Sequence, residues 1–191
     1  KLVAVAFAQA NPDGTPWPAA TQPAPVAYPC RVPAFVGFAH LVRRAVFLRL
    51  GGYRERLGFY GEEKEFCLRA LDAGYGVAYL PAARVAHAPD PAGRDALRYV
   101  RQYHRNDCLA ALLTLPLPLA LARVLQRVLL YPRTARRHVG VTDPAGRRWL
   151  VGELLRHLPG VLADRRPVRW RTVREWRRLQ RECPPYRPPG C

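Results

Sequence analysis

Three glutamates, Glu62, Glu63 and Glu65, fall within four residues in the stretch GFYGEEKEFCLRALDAGYGVAYLP (Gly58–Pro81), in a chain whose formal charge is +17. Two chemistries suit such a cluster. Acids in the first turn of a helix complement its dipole, each by about 0.3–1 kcal/mol. That explains one or two carboxylates, but a third packed beside them is repelled. Alternatively, a carboxylate set beside a substrate hydroxyl acts as a general base, a contribution of about 10²–10⁴-fold. For Glu65, one turn along, capping and a direct role both stand. Nearby, Arg43 and Arg44 are either a solvated helix face or contacts for phosphate. Gly51-Gly52-Tyr53 reads as a turn, because glycine permits positive φ and close backbone approach.

The elements that must hold these residues follow from the pattern. KLVAVAFAQA (Lys1–Ala10) is an apolar, β-branched run closed by NPDG, so it reads as a mostly buried strand. The span from Pro12 to Pro33 has seven prolines and reads as one long loop, of a length that in ordered proteins tends to be functional. Ala34–Gly52 reads as a strand and then a short helix through Val46–Leu50, stopped by Gly51-Gly52. Glu62–Ala73 reads as a helix with Phe66, Cys67, Ala70 and Leu71 on one face and Gly74 as its stop. Tyr75–Pro81 and Ala83–His87 read as two extended pieces, broken off by APDPAG. Strand, helix, strand suggests an α/β domain.

After Asp95 the pattern becomes helical and basic. Asp95–Tyr131 reads as helix, break, helix, the break falling at Pro116 and Pro118. Its longest uncharged run, Cys108–Ala122, has 15 residues, short of the roughly 20 that span a bilayer. It therefore lies in a membrane interface or on the domain's own surface. From Pro132 onward there are 15 arginines and 5 acids, so +10 of the total charge lies in the last third. That part reads as a basic amphipathic helix (Trp149–Leu162), a linker near Pro167, an Arg-rich helix (Thr172–Arg181) and a disordered Pro-rich end. Five scattered cysteines without a CxxC pair suggest a reducing, cytosolic compartment rather than a zinc or redox motif. No secretory signal pattern opens the chain.

The run LVRRAVFLRLGGYRERLGFYGEEKEFCLRALDAGYGVAYLPAARVAH (Leu41–His87), with Gly37 ahead of it, resembles the acceptor-side half of family 2 glycosyltransferases, especially the bacterial rhamnosyltransferase-like group. Arg43, Arg44, Phe47, Gly51, Gly52, Tyr53, Tyr60, Glu62, Glu63, Cys67, Arg69, Gly74, Tyr75, Pro81 and His87 match in order. The later YVRQYHRNDCLAALLTLP resembles an aromatic-rich helix of the same enzymes that ends in Arg-Asn. The resemblance implies an α/β class, a partial GT-A-like nucleotide-sugar transferase domain followed by a basic amphipathic helical tail. It implies three regions: 1–94, the acceptor-side half of the catalytic domain; 95–131, amphipathic helices; and 132–191, a basic helical tail with a Pro-rich end. Glu63 aligns with the general base of an inverting transfer, where Asp is commoner. Glu62, Gly51, Gly52 and Tyr53 fall on the acceptor side. His87, Arg43 and Arg44 fall near the diphosphate or its metal, His87 being otherwise a structural strand end.

The partners so implied are a nucleotide sugar and a polysaccharide or lipid-linked glycan acceptor. The family expectation includes Mg or Mn, but the sequence has no Asp-x-Asp to hold it and no metal ligand is assigned. The tail, with Trp149, Trp170 and Trp176, would hold the protein at the inner face of the plasma membrane. With no Met and no donor-binding half, the chain is expected to be the C-terminal part of a longer enzyme of polysaccharide or cell-wall synthesis. Two other classes remain: a non-catalytic remnant docking on a complete enzyme, and a basic nucleic-acid-binding protein. The second has charge in its favour, but it has no recognition motif, so no nucleic acid is expected.

Overall fold

The computed structural model describes residues 1–18, 21–88 and 95–187, without the side chains of 138 and 139. Most of APDPAG and residues 188–191 of the Pro-rich end lie outside that range. The fold is mixed α/β, a four-stranded sheet with helices. The chain divides into two compact units: Lys1–Arg54, Glu63–Pro89 and Arg169–Cys191 form one; Glu55–Glu62 and Asp90–Val168 form the other.

The first unit is built on a sheet of order β2-β4-β1-β3. Its strands are β1 (Leu2–Ala10), β2 (Cys30–Val32), β3 (His40–Val42) and β4 (Gly76–Ala86). The two central strands run parallel, and each edge strand is antiparallel to its neighbour. Parallel strands buried on both faces call for continuous apolar runs, and β1 has one. β4 unites the two extended pieces expected from sequence. Its register jumps between Phe7↔Leu80 and Ala8↔Arg84, an irregularity at Pro81, which has no N–H to give the ladder. Helix α1 (Arg44–Arg49) follows β3. Helix α2 (Glu62–Asp72) packs Phe66, Cys67 and Ala70 into the sheet core. It stops at Gly74, whose φ of 86° lets Tyr75 N–H reach back to the Ala70 carbonyl at 2.9 Å.

The second unit is helical. It contains α3 (Ala96–Thr114), α4 (Leu117–Thr134), a π-helical segment (Ala135–Val139) and α5 (Gly146–Asp164). Asp95 caps α3 by accepting from the N–H groups of Leu97 and Arg98. Leu57, Leu109, Leu113, Tyr131 and Leu150 are the centre of its core. The break between α3 and α4 falls at Leu115-Pro116, as the prolines predict.

The division differs from the expected 1–94, 95–131 and 132–191. The last helix, α6 (Trp170–Glu182), belongs to the sheet unit. It buries Thr172, Val173 and Leu179 and packs Trp176 on the sheet core. Asp72 holds its start, accepting from Arg169 N–H at 3.0 Å and from the Thr172 hydroxyl at 2.5 Å. Behind it, Arg31 N–H bonds Pro184 and Tyr186 N–H bonds Pro29, so the chain pairs with β2 before residue 188. This stretch is therefore not a free tail. Trp149 is likewise half-buried against its own core with the Arg101 guanidinium 5.2 Å from its ring. Of the three tryptophans expected at lipid, only Trp170 is openly exposed.

Candidate functional site

In open α/β sheets, ligands bind beyond the carboxyl ends of parallel strands. Here those ends are Ala10 and Ala86, and His87 N–H is bonded to the Ala10 carbonyl at 3.0 Å. The proline-rich loop folds onto the same end. Gln9, 1% exposed, donates its amide to the Thr21 carbonyl, while Gln22 both accepts from Gln9 N–H and donates to its carbonyl. Trp17 N–H also reaches the Gln9 carbonyl. The loop so pinned sets Trp17 beside His87, with ring centroids 5.6 Å apart. Phe38 stacks on the His87 ring at 4.2 Å and 25°, and lies 5.4 Å from Trp17. The Trp17 indole N–H is buried without an acceptor among the described residues.

Glu63 approaches the residue that precedes Phe38. Its Oε1 lies so close over Gly37 that any Cβ there would collide with it. Gly37 precedes Phe38, so one loop between β2 and β3 is flanked by Glu63 and, one residue on, by His87. One turn further along α2, the buried Cys67 thiol meets the backbone of Phe35 in the same loop, and burial pushes that thiol well above its usual range. The half-buried carboxylate of Glu63, the imidazole of His87 and two large aromatic faces therefore share one end of the sheet unit. A carboxylate beside aromatic faces suits a hydroxylated ring: the faces receive its C–H side, and the carboxylate accepts from a hydroxyl.

Glu65 has another task. Its side chain is fully buried. It accepts from Arg54 Nε at 2.8 Å and from Arg69 Nε and Nη2 at 2.7 and 2.9 Å. Arg69 then donates to the carbonyls of Leu50 and Gly52. Gly51 and Gly52, at φ 80° and 61°, turn those carbonyls toward the guanidinium. Tyr53 packs edge-on against Phe47 and Phe66. This ion cluster answers the question left open for Glu65 and ties the Gly51-Gly52-Tyr53 turn to α2. Glu62, first residue of the helix, is buried.

The grouping of His87 with Arg43 and Arg44 does not hold. Arg43 N–H bonds the Val3 carbonyl, at the amino end of β1, whereas His87 is bonded at Ala10. At about 3.3 Å per residue the two places are about 23 Å apart along the strand. Both arginines are exposed. Sequence adjacency to the Gly-Gly turn suggested a common site, but β3 runs antiparallel to β1 and takes them to its far end. Among the described residues no three of His, Cys, Asp and Glu converge as a metal ion requires. Rings, not carboxylates, flank His87, so the Mg or Mn implied by the resemblance finds no donor set on these residues.

In the helical unit the Arg-Asn pair at the middle of α3 has a defined place. Asn106, wholly buried, donates its amide to the carbonyls of Leu57, Phe59 and Tyr60 at 2.6, 2.7 and 2.9 Å. Tyr60 is held at φ 79°, a conformation rare for a bulky residue, with its ring edge-on to Tyr99. Asn106, Trp17, Phe38 and Gly37 were not singled out from sequence as site residues. The length of the proline-rich loop and the Arg-Asn pair that follows the aromatic residues of α3 are the available signals.

No protein-family model matches the chain, and no curated protein matches it. Among solved structures, it aligns with the crystal structure of GalNAc-T7 with UDP, GalNAc and Mn2+, at 17% identity and a TM-score of 0.37. The alignment takes in 82% of this chain and 36% of that one. So distant a likeness leaves the function to the residues themselves.

Proposed function

We propose that this chain is the acceptor-side part of an inverting glycosyltransferase of the family 2, rhamnosyltransferase-like kind. The observation that supports the reading is the contact of Glu63 with the Gly37 backbone, one residue from the Phe38–His87 stack. In the proposed step an acceptor hydroxyl gives its proton to Glu63. Its oxygen bonds the anomeric carbon of a nucleotide sugar, and the nucleoside diphosphate leaves with the electron pair of the broken C–O bond. Attack opposite the leaving group inverts the configuration. Trp17 and Phe38 would seat the acceptor ring, and Glu62 would orient the hydroxyl or its neighbour. The acceptor is a glycan, free or lipid-linked.

Glu63→Gln keeps the size of the side chain and removes the base. In the longer enzyme that this reading implies, transfer from a panel of nucleotide sugars to rhamnose- or hexose-containing oligosaccharides is expected to fall about 10²–10⁴-fold. Acceptor binding, followed by ligand NMR, should persist in that variant and weaken in Trp17→Ala. Turnover unchanged by Glu63→Gln, or glycan binding unchanged by Trp17→Ala, overturns the reading.

A further inference from the structure

Helix α4 has two apolar faces. One, with Ala120, Val124, Val128 and Tyr131, enters the core of the helical unit. The other carries Leu117, Leu121, Leu125 and Leu129, each more than half exposed. Spacing of four residues keeps successive leucines on neighbouring positions of one face, in a row that winds slowly round the helix over about 18 Å. Helix α5, in the same unit, repeats the arrangement. Leu150, Leu154 and Val161 point inward, while Val151, Leu155, Leu158 and Leu162 form an exposed row at helical spacing. Arg147, at the head of α5, donates to the carbonyl of Leu129 on α4. Scattered exposed leucines are ordinary; an exposed apolar row on each of two helices of one unit is not.

We propose that this leucine face lies on an anionic lipid surface, in the plane of the interface. The charge around it selects that occupant. Arg133, Arg136, Arg137, Arg147, Arg148 and Arg156 stand exposed on or beside the two helices. Helix α4 has no acid. The two acids of α5 are engaged, Glu153 with Arg105 and Arg156, and Asp164 with Arg56. Leucines flanked by cations are the pattern of an interfacial helix, whose apolar face enters the acyl boundary while arginines meet phosphate. A second copy of the chain would set the same cationic border against itself. Neither helix crosses the bilayer: no described helix is long and apolar enough. The inference goes beyond the glycosyl-transfer reading and does not depend on it.

The test is co-sedimentation of the 191-residue chain with vesicles of equimolar phosphatidylglycerol and phosphatidylcholine, and with pure phosphatidylcholine. The chain is expected to pellet with the anionic vesicles and to retain part of that binding at high salt. Leu121→Gln/Leu125→Gln should cut binding at least about tenfold with an unchanged circular dichroism spectrum, because it removes buried apolar area without touching charge. Arg136→Gln/Arg148→Gln should weaken binding to anionic vesicles only. Three results overturn the proposal: no binding by the parent chain; binding that the leucine variant leaves intact; or, in light scattering, a dimer that the leucine variant dissolves while vesicles are ignored. Because Glu63 is unaltered in every variant, none of these results bears on transfer.

Discussion

Helices α6 and α4 are both amphipathic, yet they use their faces in opposite ways. In α6 the apolar residues Val173, Trp176 and Leu179 are committed to the sheet unit, and Arg171, Arg174, Arg177 and Arg181 are left outside. In α4 one apolar row is committed to its own core and a second is left outside. The richer arginine content marks the helix whose apolar face is already satisfied. Count and periodicity therefore do not tell which helix is available to a surface; the decisive fact is which apolar row remains uncovered after packing.

The comparison breaks first at the polar anchor of the sheet unit. Glu65→Ala would leave the Arg54 and Arg69 guanidinium groups facing each other around an empty carboxylate position. A loss of about 3–5 kcal/mol in urea unfolding is expected. A much smaller loss would mean that the Gly51-Gly52 turn holds without the ion cluster. Next comes the direct contrast between the helices. Leu179→Ala, at a 1% exposed position of α6, is expected to cost about 2–5 kcal/mol. Leu125→Ala on α4 should stay within about 0.5 kcal/mol. Equal costs would show that the α4 row is buried in solution by something not yet identified. The helical unit has its own anchor in Asn106. Asn106→Ala strips three carbonyls of their donor, a loss of about 1–3 kcal/mol for buried groups of this kind, offset in part by relief of the Tyr60 backbone. If urea unfolding of Asn106→Ala matches the parent, water has replaced the amide.

Acid should expose a further difference. Hydrogen bonds from Arg101, then from Tyr131, hold Asp143 below the usual carboxylate range. Burial pushes Asp107 up, but hydrogen bonds from Arg127 and Arg123 outweigh it and the net shift is downward. A carboxylate depressed in the folded state contributes stability above its unfolded value, which is lost as pH falls through the folded one. Stability of the helical unit should therefore decline below about pH 4. Arg101→Met should flatten part of that decline in thermal melts taken across the acid range. An unchanged slope would remove Asp143 from the account.

Much of the fold was readable in advance where local rules act alone. The α2 helix, its stop at Gly74, strand β1 and the break before α4 depend on periodicity, glycine and proline, which neighbours do not override. Strand β2 is illegible in the sequence because Cys30–Val32 is three residues long inside a proline-rich loop and has no period to detect. β4 reads as two pieces because Pro81 looks like an end, whereas the ladder resumes after a register jump. At the candidate site, the surroundings of Glu63 and His87 depend on long-range placement. Trp17 is 70 positions from His87 in sequence. Arg43 and Arg44 looked close to the site only because β3 had not yet been paired with β1. Docking of α6 was likewise illegible: an amphipathic helix shows that it needs a surface, not which one.

The smallest effect leaves stability untouched and reads the docking of α6 directly. Cys30 lies on β2, where the chain after α6 pairs back at Pro185, and its thiol neighbours the buried Cys183. Burial first, then Cys183, pushes Cys30 up to about 11. Cys108 belongs to the helical core, where burial, with Asp107 adding to it, pushes it up to about 12. Only the thiolate alkylates readily, so both should label slowly with iodoacetamide at pH 8 and rapidly in denaturant. If α6 is as firmly seated as its buried face implies, Cys30 and Cys108 stay protected together, as mass spectrometry of labelled peptides would show. If Cys30 and Cys183 label early while Cys108 does not, α6 leaves the sheet readily. Its Val173, Trp176 and Leu179 face then becomes available to a surface, and the contrast between the two helices becomes one of degree.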